Sequence, residues 1–187
     1  MFQTGKVNAP AFDVVRLSSL ESIGNFDCGD ADLNDFILNR AVLFDKFMFA
    51  ASYACVDVND ASRVYAYFSL ANDKLAMSDF KDKSEFNRFR KKQGFPNEKR
   101  LKSYPAVKLC RLAVDNSVKG KQIGSAILDI VKSMFVINNK TGCRFLTVDA
   151  YVGALSFYEC NGFRPMLAED NDPHTRVMYF DLIDLAA

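Results

Sequence analysis

The residues best placed to do chemistry lie in one polar run, Asp115-Asn116-Ser117-Val118-Lys119-Gly120-Lys121-Gln122. Two lysines and a glycine stand directly before the apolar periodicity of a helix. Free backbone N–H groups at a helix start, with the positive end of its dipole, attract anions, and phosphate is the commonest occupant. The chemistry on offer is therefore the binding of a phosphorylated ligand. The spacing is not that of a P-loop, Gly-x-x-x-x-Gly-Lys followed by Ser or Thr. Nor is it the Gly-x-Gly-x-x-Gly of dinucleotide-binding folds. One histidine, His174, excludes a multi-histidine metal centre and makes a Ser-His-Asp triad a poor fit. The five cysteines, at 28, 55, 110, 143 and 160, contain no Cys-x-x-Cys pair. Neither a zinc cage nor a disulfide framework is indicated, and reduced thiols in a cytoplasm fit best.

The loop needs a strand before it and a helix after it. Val107, Leu109, Leu112 and Val114 supply the apolar and β-branched residues of a buried strand. Ile123, Ala126, Ile127, Ile130, Val131 and Met134 recur at the spacing of one helix face. The unit is strand, basic glycine-containing loop, helix. With 187 residues the chain reads as a single domain, residues 1–187. A net charge of +1 forces neither a nucleic-acid nor a membrane partner. No apolar signal core or membrane-spanning run is present.

The loop resembles the acetyl-CoA signature of the GNAT N-acetyltransferases. There a strand ending like Arg111-Leu112-Ala113-Val114-Asp115 is followed by Arg/Gln-x-x-Gly-x-Gly/Ala at the helix start. Here the six positions are Lys119, Gly120, Lys121, Gln122, Ile123 and Gly124. Lys119 stands for Arg or Gln, Gln122 stands for the first glycine, and Gly124 is kept. A second segment, Phe157-Tyr158-Glu159-Cys160-Asn161-Gly162-Phe163, is similar to the family's FYEKxGF at the expected distance. Asn25-Phe26-Asp27-Cys28-Gly29, with Leu33-Asn34-Asp35-Phe36, resembles the opening of a GNAT subgroup that contains toxin acetyltransferases. The likeness covers nearly the whole chain apart from residues 79–104.

The resemblance implies an α/β (α+β) GNAT fold: a mixed, mostly antiparallel sheet of about six to seven strands flanked by helices, its fourth and fifth strands splayed apart. It implies acetyl-CoA as co-substrate, with no metal. The pantetheine amides would pair with the backbone of Leu112, Ala113 and Val114. The pyrophosphate would sit on the N–H groups of Lys119, Gly120, Lys121, Gln122, Ile123, Gly124 and Ser125, and Phe157 would also touch the cofactor. Tyr158 would be the catalytic acid that protonates the departing CoA thiolate. Asp149 and Asp115 are the candidate general bases, although a residue of this kind is more often a turn or cap residue than a base. Tyr151 stands where many relatives carry an asparagine that touches pantetheine. Cys110, inside the central strand, reads as a small core residue.

Taken in order, residues 1–10 read as a loose lead-in and Phe12 to Leu17 as a first strand. Asp30 can cap a helix whose apolar face is Leu33, Phe36, Ile37, Ala41, Phe44 and Phe47, all expected in the core. Ala51 to Val58 and Arg63 to Leu70 read as a hairpin. Residues 79–104 are a basic insertion, its cations Lys81, Lys83, Arg88, Arg90, Lys91, Lys92, Lys99, Arg100 and Lys102 interleaved with Phe80, Phe86, Phe89, Phe95 and Tyr104. The plain expectation is an amphipathic insertion that packs its aromatics on the body; the functional one is a cationic lip for RNA or CoA phosphates. A helix in its first half would stop near Gly94 and Pro96. Cys143 to Ala150 reads as a strand, Gly153 to Cys160 as a short helix, Phe163 as a strand start, and His174 to Ile183 as the closing strand. Between the last two lies an acidic loop, residues 168–173.

The function expected is an acetyl-CoA-dependent N-acetyltransferase acting on a primary amine. The acceptor stays open between a small-molecule or peptide amine and a charged tRNA, the last being a toxin's substrate. A CoA-binding module without turnover is the alternative from another class. A second copy of the chain is kept as a partner, and a membrane is not expected.

Overall fold

The computed structural model describes residues 10–19, 23, 25–94, 101–137, 141–167 and 172–186. The lead-in, most of the acidic loop, and Phe95, Pro96, Lys99 and Arg100 fall outside these residues. Seven strands are present: β1 (Phe12–Arg16), β2 (Ala51–Asp57), β3 (Asp60–Ala76), β4 (Ser103–Val114), β5 (Phe145–Tyr151), β6 (Arg164–Pro165) and β7 (Thr175–Asp181). They hydrogen-bond in the order β1-β2-β3-β4-β5-β7-β6. The β4–β5 pairing is parallel, whereas β1–β2, β2–β3, β5–β7 and β6–β7 are antiparallel. The sheet is thus mixed and mostly antiparallel, as expected. The chain divides into two compact units, Met1–Ala71 with Leu109–Val131, and Asn72–Lys108 with Lys132–Ala187.

In the first unit the expected hairpin forms through a tight turn. Asp57 accepts from the Asn59 N–H (2.7 Å) and Asp60 from the Ser62 N–H (3.0 Å). β3 runs on to Ala76, past the expected end at Leu70. The continuation carries Asn72, Asp73 and Lys74, whose polarity reads as a loop. Strand period explains their tolerance: Asn72 and Lys74 face solvent, while Leu75 is buried.

Asp30 caps the helix as expected, accepting from the N–H groups of Asp32 and Leu33. The helix then departs from regular winding. α1 (Ala31–Asp35) passes into a π-helical turn, Phe36–Arg40, before α2 (Ala41–Lys46). A π turn holds one more residue than an α turn, so every later side chain is rotated. Phe36, Ile37 and Ala41 reach the core with Leu33 and Phe44 packed against it. Phe47 does not: it is 61% exposed and stacks on exposed Phe49. Its placement in the core from helical spacing is therefore corrected by the extra residue in the turn.

In the second unit, the first half of the insertion forms α3 (Lys83–Lys92), capped by Asp82 and ended at Gly94, whose φ is +63°. Phe80, Phe86, Phe89 and Tyr104 pack with Leu75, Phe145 and Tyr179 in one cluster. These four aromatics are structural, as the plain expectation had it. Arg90 is also drawn inward. It donates to the Tyr104 hydroxyl (2.9 Å) and lies 5.8 Å from the Phe86 ring. The end of α3 is fastened by Arg144, which donates to the Gln93 carbonyl and pairs with buried Asp181 at 2.6 and 2.8 Å. Removing one partner of such a pair leaves an uncompensated buried charge.

Candidate functional site

β4 ends at Val114, and the Asp115 N–H donates to the Tyr65 carbonyl at 2.8 Å. A single 3-10 turn, Asn116–Val118, follows, with Val118 buried as its anchor. Gly120 then takes φ +77° and Gln122 φ +61°. α4 (Ile123–Val136) starts next, holding Ile123, Ile127, Leu128 and Val131 in the interior. Its first backbone bond runs from the Ala126 N–H to the Gln122 carbonyl (3.1 Å). The N–H groups of Ile123, Gly124 and Ser125 precede that bond and have no acceptor within the helix. Donors of this kind are what an anion-binding helix start requires. Among the described residues the ammonium of Lys119 is engaged, donating to the Cys28 carbonyl at 2.7 Å. Lys121 has no such partner there.

Gln122 stands where the signature has its first glycine, and its left-handed backbone gives the reason a glycine belongs there. A non-glycine residue in that region costs about 1–2 kcal/mol, against about 0.5–1 kcal/mol of extra chain entropy that glycine loses on folding. Gln122→Gly is therefore expected to raise the melting temperature by about 1–4 °C, while Gln122→Val lowers it. Thermal melts of the two variants check this; a glycine variant melting as low as the valine one would contradict it.

Asp115 is a turn residue. Burial alone would lift its carboxyl, but hydrogen bonds from the Asp27 N–H (2.9 Å) and from the N–H and hydroxyl of Ser117 (2.9 and 2.6 Å) outweigh it and hold the group below its ordinary value. A carboxylate so engaged is a poor proton acceptor. Asp149, the other candidate base, pairs with Lys108 at 2.5 Å. Neither Asp27, which joins the loop, nor Asn34, which holds Asp27, stands out by sequence as having a role; no local periodicity marks a contact between such distant segments.

Tyr158 lies in α5 (Leu155–Cys160), the helix the sequence predicts, which ends at Asn161-Gly162. Gly162 has φ +83°, and a Cβ there would meet the Phe180 ring at 3.0 Å, so only glycine fits. The Phe163 N–H returns to the Tyr158 carbonyl (3.0 Å). Edge-on contacts with Phe157 and Phe163 hold the Tyr158 ring. Tyr158 is buried, and its hydroxyl bonds to no described residue. Burial pushes the phenol up to about 12, so it keeps its proton throughout the physiological range. Leu112 to Ser125 lie in the first unit, and Phe157 and Tyr158 in the second. Tyr151 and His174 are exposed, and Cys110 is half-buried. Among the described residues no group of His, Cys, Asp or Glu could hold a metal, and no helix is long and apolar enough to cross a membrane.

Residues 97–179 match the family model described as an acetyltransferase (GNAT) domain. AtaT complexed with acetyl-methionyl-tRNAfMet is similar at 22% identity and a TM-score of 0.72, over 94% of this chain and 97% of that one. A tyrosine-to-phenylalanine mutant of KacT is similar at 20% identity and a TM-score of 0.70, over 93% and 96%. AtaTR bound with AcCoA is similar at 22% identity and a TM-score of 0.68, over 94% and 95%. At these identities the likeness to the solved structures is one of fold.

Proposed function

We propose, on the premise that this chain carries a GNAT acetyltransferase domain and transfers acetyl groups from acetyl-CoA to an amine, that the amine is the α-amino group of an aminoacyl-tRNA. The observation that carries the choice is the state of the two candidate bases. Asp115 is held by hydrogen bonds from Asp27 and Ser117, and Asp149 is paired with Lys108. An α-amino group, with a pKa near 8, is about one-tenth neutral at pH 7, whereas a lysine amine is neutral in roughly one part in two thousand. An acceptor of the first kind attacks without a strong base. A tRNA rather than a peptide is favoured by the exposed cations Arg88, Lys91 and Lys92 on α3. It is favoured also by the likeness to AtaT, solved with acetyl-methionyl-tRNAfMet.

The backbone of Leu112, Ala113 and Val114, beyond the last β4–β5 pair at Lys108 and Thr147, would pair with pantetheine as an added strand does. The N–H groups at the start of α4, with Lys121, would hold the pyrophosphate. The amine nitrogen attacks the thioester carbonyl carbon, the C–S bond breaks, and one ammonium proton is released. Tyr158 would donate a hydrogen bond to the sulfur as charge gathers on it. A phenol near 12 does not readily give its proton to a thiolate whose ordinary pKa is about 8.5. Its contribution is that hydrogen bond, and the amine's proton neutralises the thiolate.

Labelled acetyl-CoA, offered with charged tRNAs, polyamines and peptides, tests the reading. Label is expected on the aminoacyl group of at least one charged tRNA, faster than on any polyamine. Transfer to polyamines or peptides with none to any charged tRNA would retire it.

A further inference from the structure

The toxin-like opening of the chain has no task in the chemistry described so far, yet its polar atoms converge on the phosphate loop. Asp27 accepts through one oxygen from the Gly29 N–H (2.8 Å) and the Asn34 amide (2.8 Å), and through the other from the Asn116 amide (3.1 Å). The Asp27 N–H donates to Asp115 (2.9 Å), and the Asn116 N–H donates to the Asp27 carbonyl (2.9 Å). Lys119 closes the set on the Cys28 carbonyl. Asn34 in turn accepts from the Cys28 N–H at 2.9 Å. Gly29, at φ +81°, lets the segment turn back against the loop: a Cβ there would lie 3.6 Å from the Lys119 Nζ and 3.7 Å from Asn116. Asp115, Asn116 and Lys119 are thus each tied to Asp27 or Cys28. Hydrogen bonds set the course of these three loop residues.

We propose that the segment from Asp27 to Asn34 is a clamp that holds the phosphate loop in its binding shape, with Asp27 and Asn34 as positioning residues for acetyl-CoA. The proposal rests on the reading that this loop takes the cofactor pyrophosphate. Neither residue needs to touch the ligand. Their effect is on pre-organisation: a loop that must be ordered by its ligand binds more weakly than one already in place. The sequence consequence is that the Asp-Cys-Gly run and the asparagine after it serve the cofactor half of the reaction rather than the acceptor half.

Calorimetry with CoA and steady-state kinetics on the full chain test the clamp. Asp27→Ala is expected to raise the dissociation constant for CoA and the KM for acetyl-CoA about tenfold, equivalent to about 1.4 kcal/mol, the scale of one or two hydrogen bonds. The kcat at saturation and the KM for the acceptor are expected to stay within about twofold, a change of under 0.5 kcal/mol. Asn34→Ala should behave likewise. Asp27→Asn should recover most of the affinity, because its carbonyl still accepts and Asn116 can turn its amide to donate or accept. Val56→Ala, a truncation in the hydrophobic cluster of the same unit, serves as a control that lowers stability while leaving every hydrogen bond of the clamp in place. Hydrogen exchange of the amides at 116–122, measured without ligand, should speed up in Asp27→Ala and not in Val56→Ala. Equal CoA affinity and equal exchange in wild type and Asp27→Ala would overturn the clamp while leaving the loop reading intact. So would an affinity loss in Val56→Ala matching that of Asp27→Ala. A wild-type chain that binds no CoA would instead overturn the loop reading and the proposal with it.

Discussion

Tyr158→Phe is expected to slow acetyl transfer by about a hundred- to thousand-fold, the range for losing one hydrogen bond to a charge that develops in the transition state. The structure makes this substitution unusually clean. The ring is gripped by Phe157 and Phe163, and both contacts survive in phenylalanine. The hydroxyl bonds to no described residue, so its loss orphans no described donor or acceptor. A purely structural tyrosine would therefore show almost no change in rate and no change in melting temperature. Acetyl-CoA affinity should be nearly unchanged, since the loop does not involve this residue. The pH profile gives a second readout. Because burial pushes the phenol up to about 12, its protonated form persists as pH rises, and activity should show no loss from Tyr158 ionisation until pH approaches that value. The acid side should instead follow the acceptor amine, which must be neutral to attack. A rate change under about fivefold, too small for the loss of such a hydrogen bond, would make Tyr158 a packing residue.

Reversing Arg88, Lys91 and Lys92 together to Glu is expected to abolish transfer to charged tRNA while leaving acetyl-CoA binding intact. These three are exposed cations of α3. Arg90 is deliberately left out, because it is tied to Tyr104 and Phe86 and its reversal would damage the aromatic cluster. Binding to phosphates releases counterions, so affinity falls steeply with salt, and deleting one cation that meets a phosphate flattens the dependence by about one unit of slope. The variant should thus show a shallower salt dependence as well as a lower rate. Negative charge at the C-terminal end of α3 also costs about 0.3–1 kcal/mol per residue through the helix dipole; the corresponding Gln variants separate that loss from the loss of binding. Growth arrest on expression of the unmodified chain should disappear with the reversal. A mild effect, a rate insensitive to salt and expression without growth arrest would point to a small amine instead.

Much of the architecture was legible because it rests on local periodicity. The hairpin, the central strand, α4 and α5 all follow from apolar spacing bounded by turn residues, and the Gly162 stop follows from a left-handed backbone. Where reading failed, the physics was non-local or sub-periodic. Phe47 was lost to one extra residue in a π turn, which no hydrophobic pattern announces. The extension of β3 was hidden behind Asn72, Asp73 and Lys74: the strand carries Asn72 and Lys74 on its outer face, while Asp73 on the other face accepts from the buried Thr147 hydroxyl. The fate of Arg90 depended on Tyr104 beyond the helix. At the candidate site the loop came from the strand–loop–helix pattern and Tyr158 from the resemblance of its segment to the family's FYEKxGF, whereas the tie between Asp27 and Asp115 joins residues 88 positions apart and leaves no trace in either neighbourhood.

The first unit is assembled from two separated stretches, Met1–Ala71 and Leu109–Val131. On a ribosome the earlier stretch emerges first and must wait for about 60 further residues, an interval of roughly 3–12 s at 5–20 residues per second. During that wait Phe36 and Tyr67 lack Ala113, their later-made neighbour in the same cluster. Asp27 likewise has no loop to hold. No nascent chain shorter than about residue 131 can therefore present a finished phosphate site. An enzyme whose proposed substrate feeds translation would thus acquire its donor-binding half only late in its own synthesis, and copies terminated before that point would be catalytically silent.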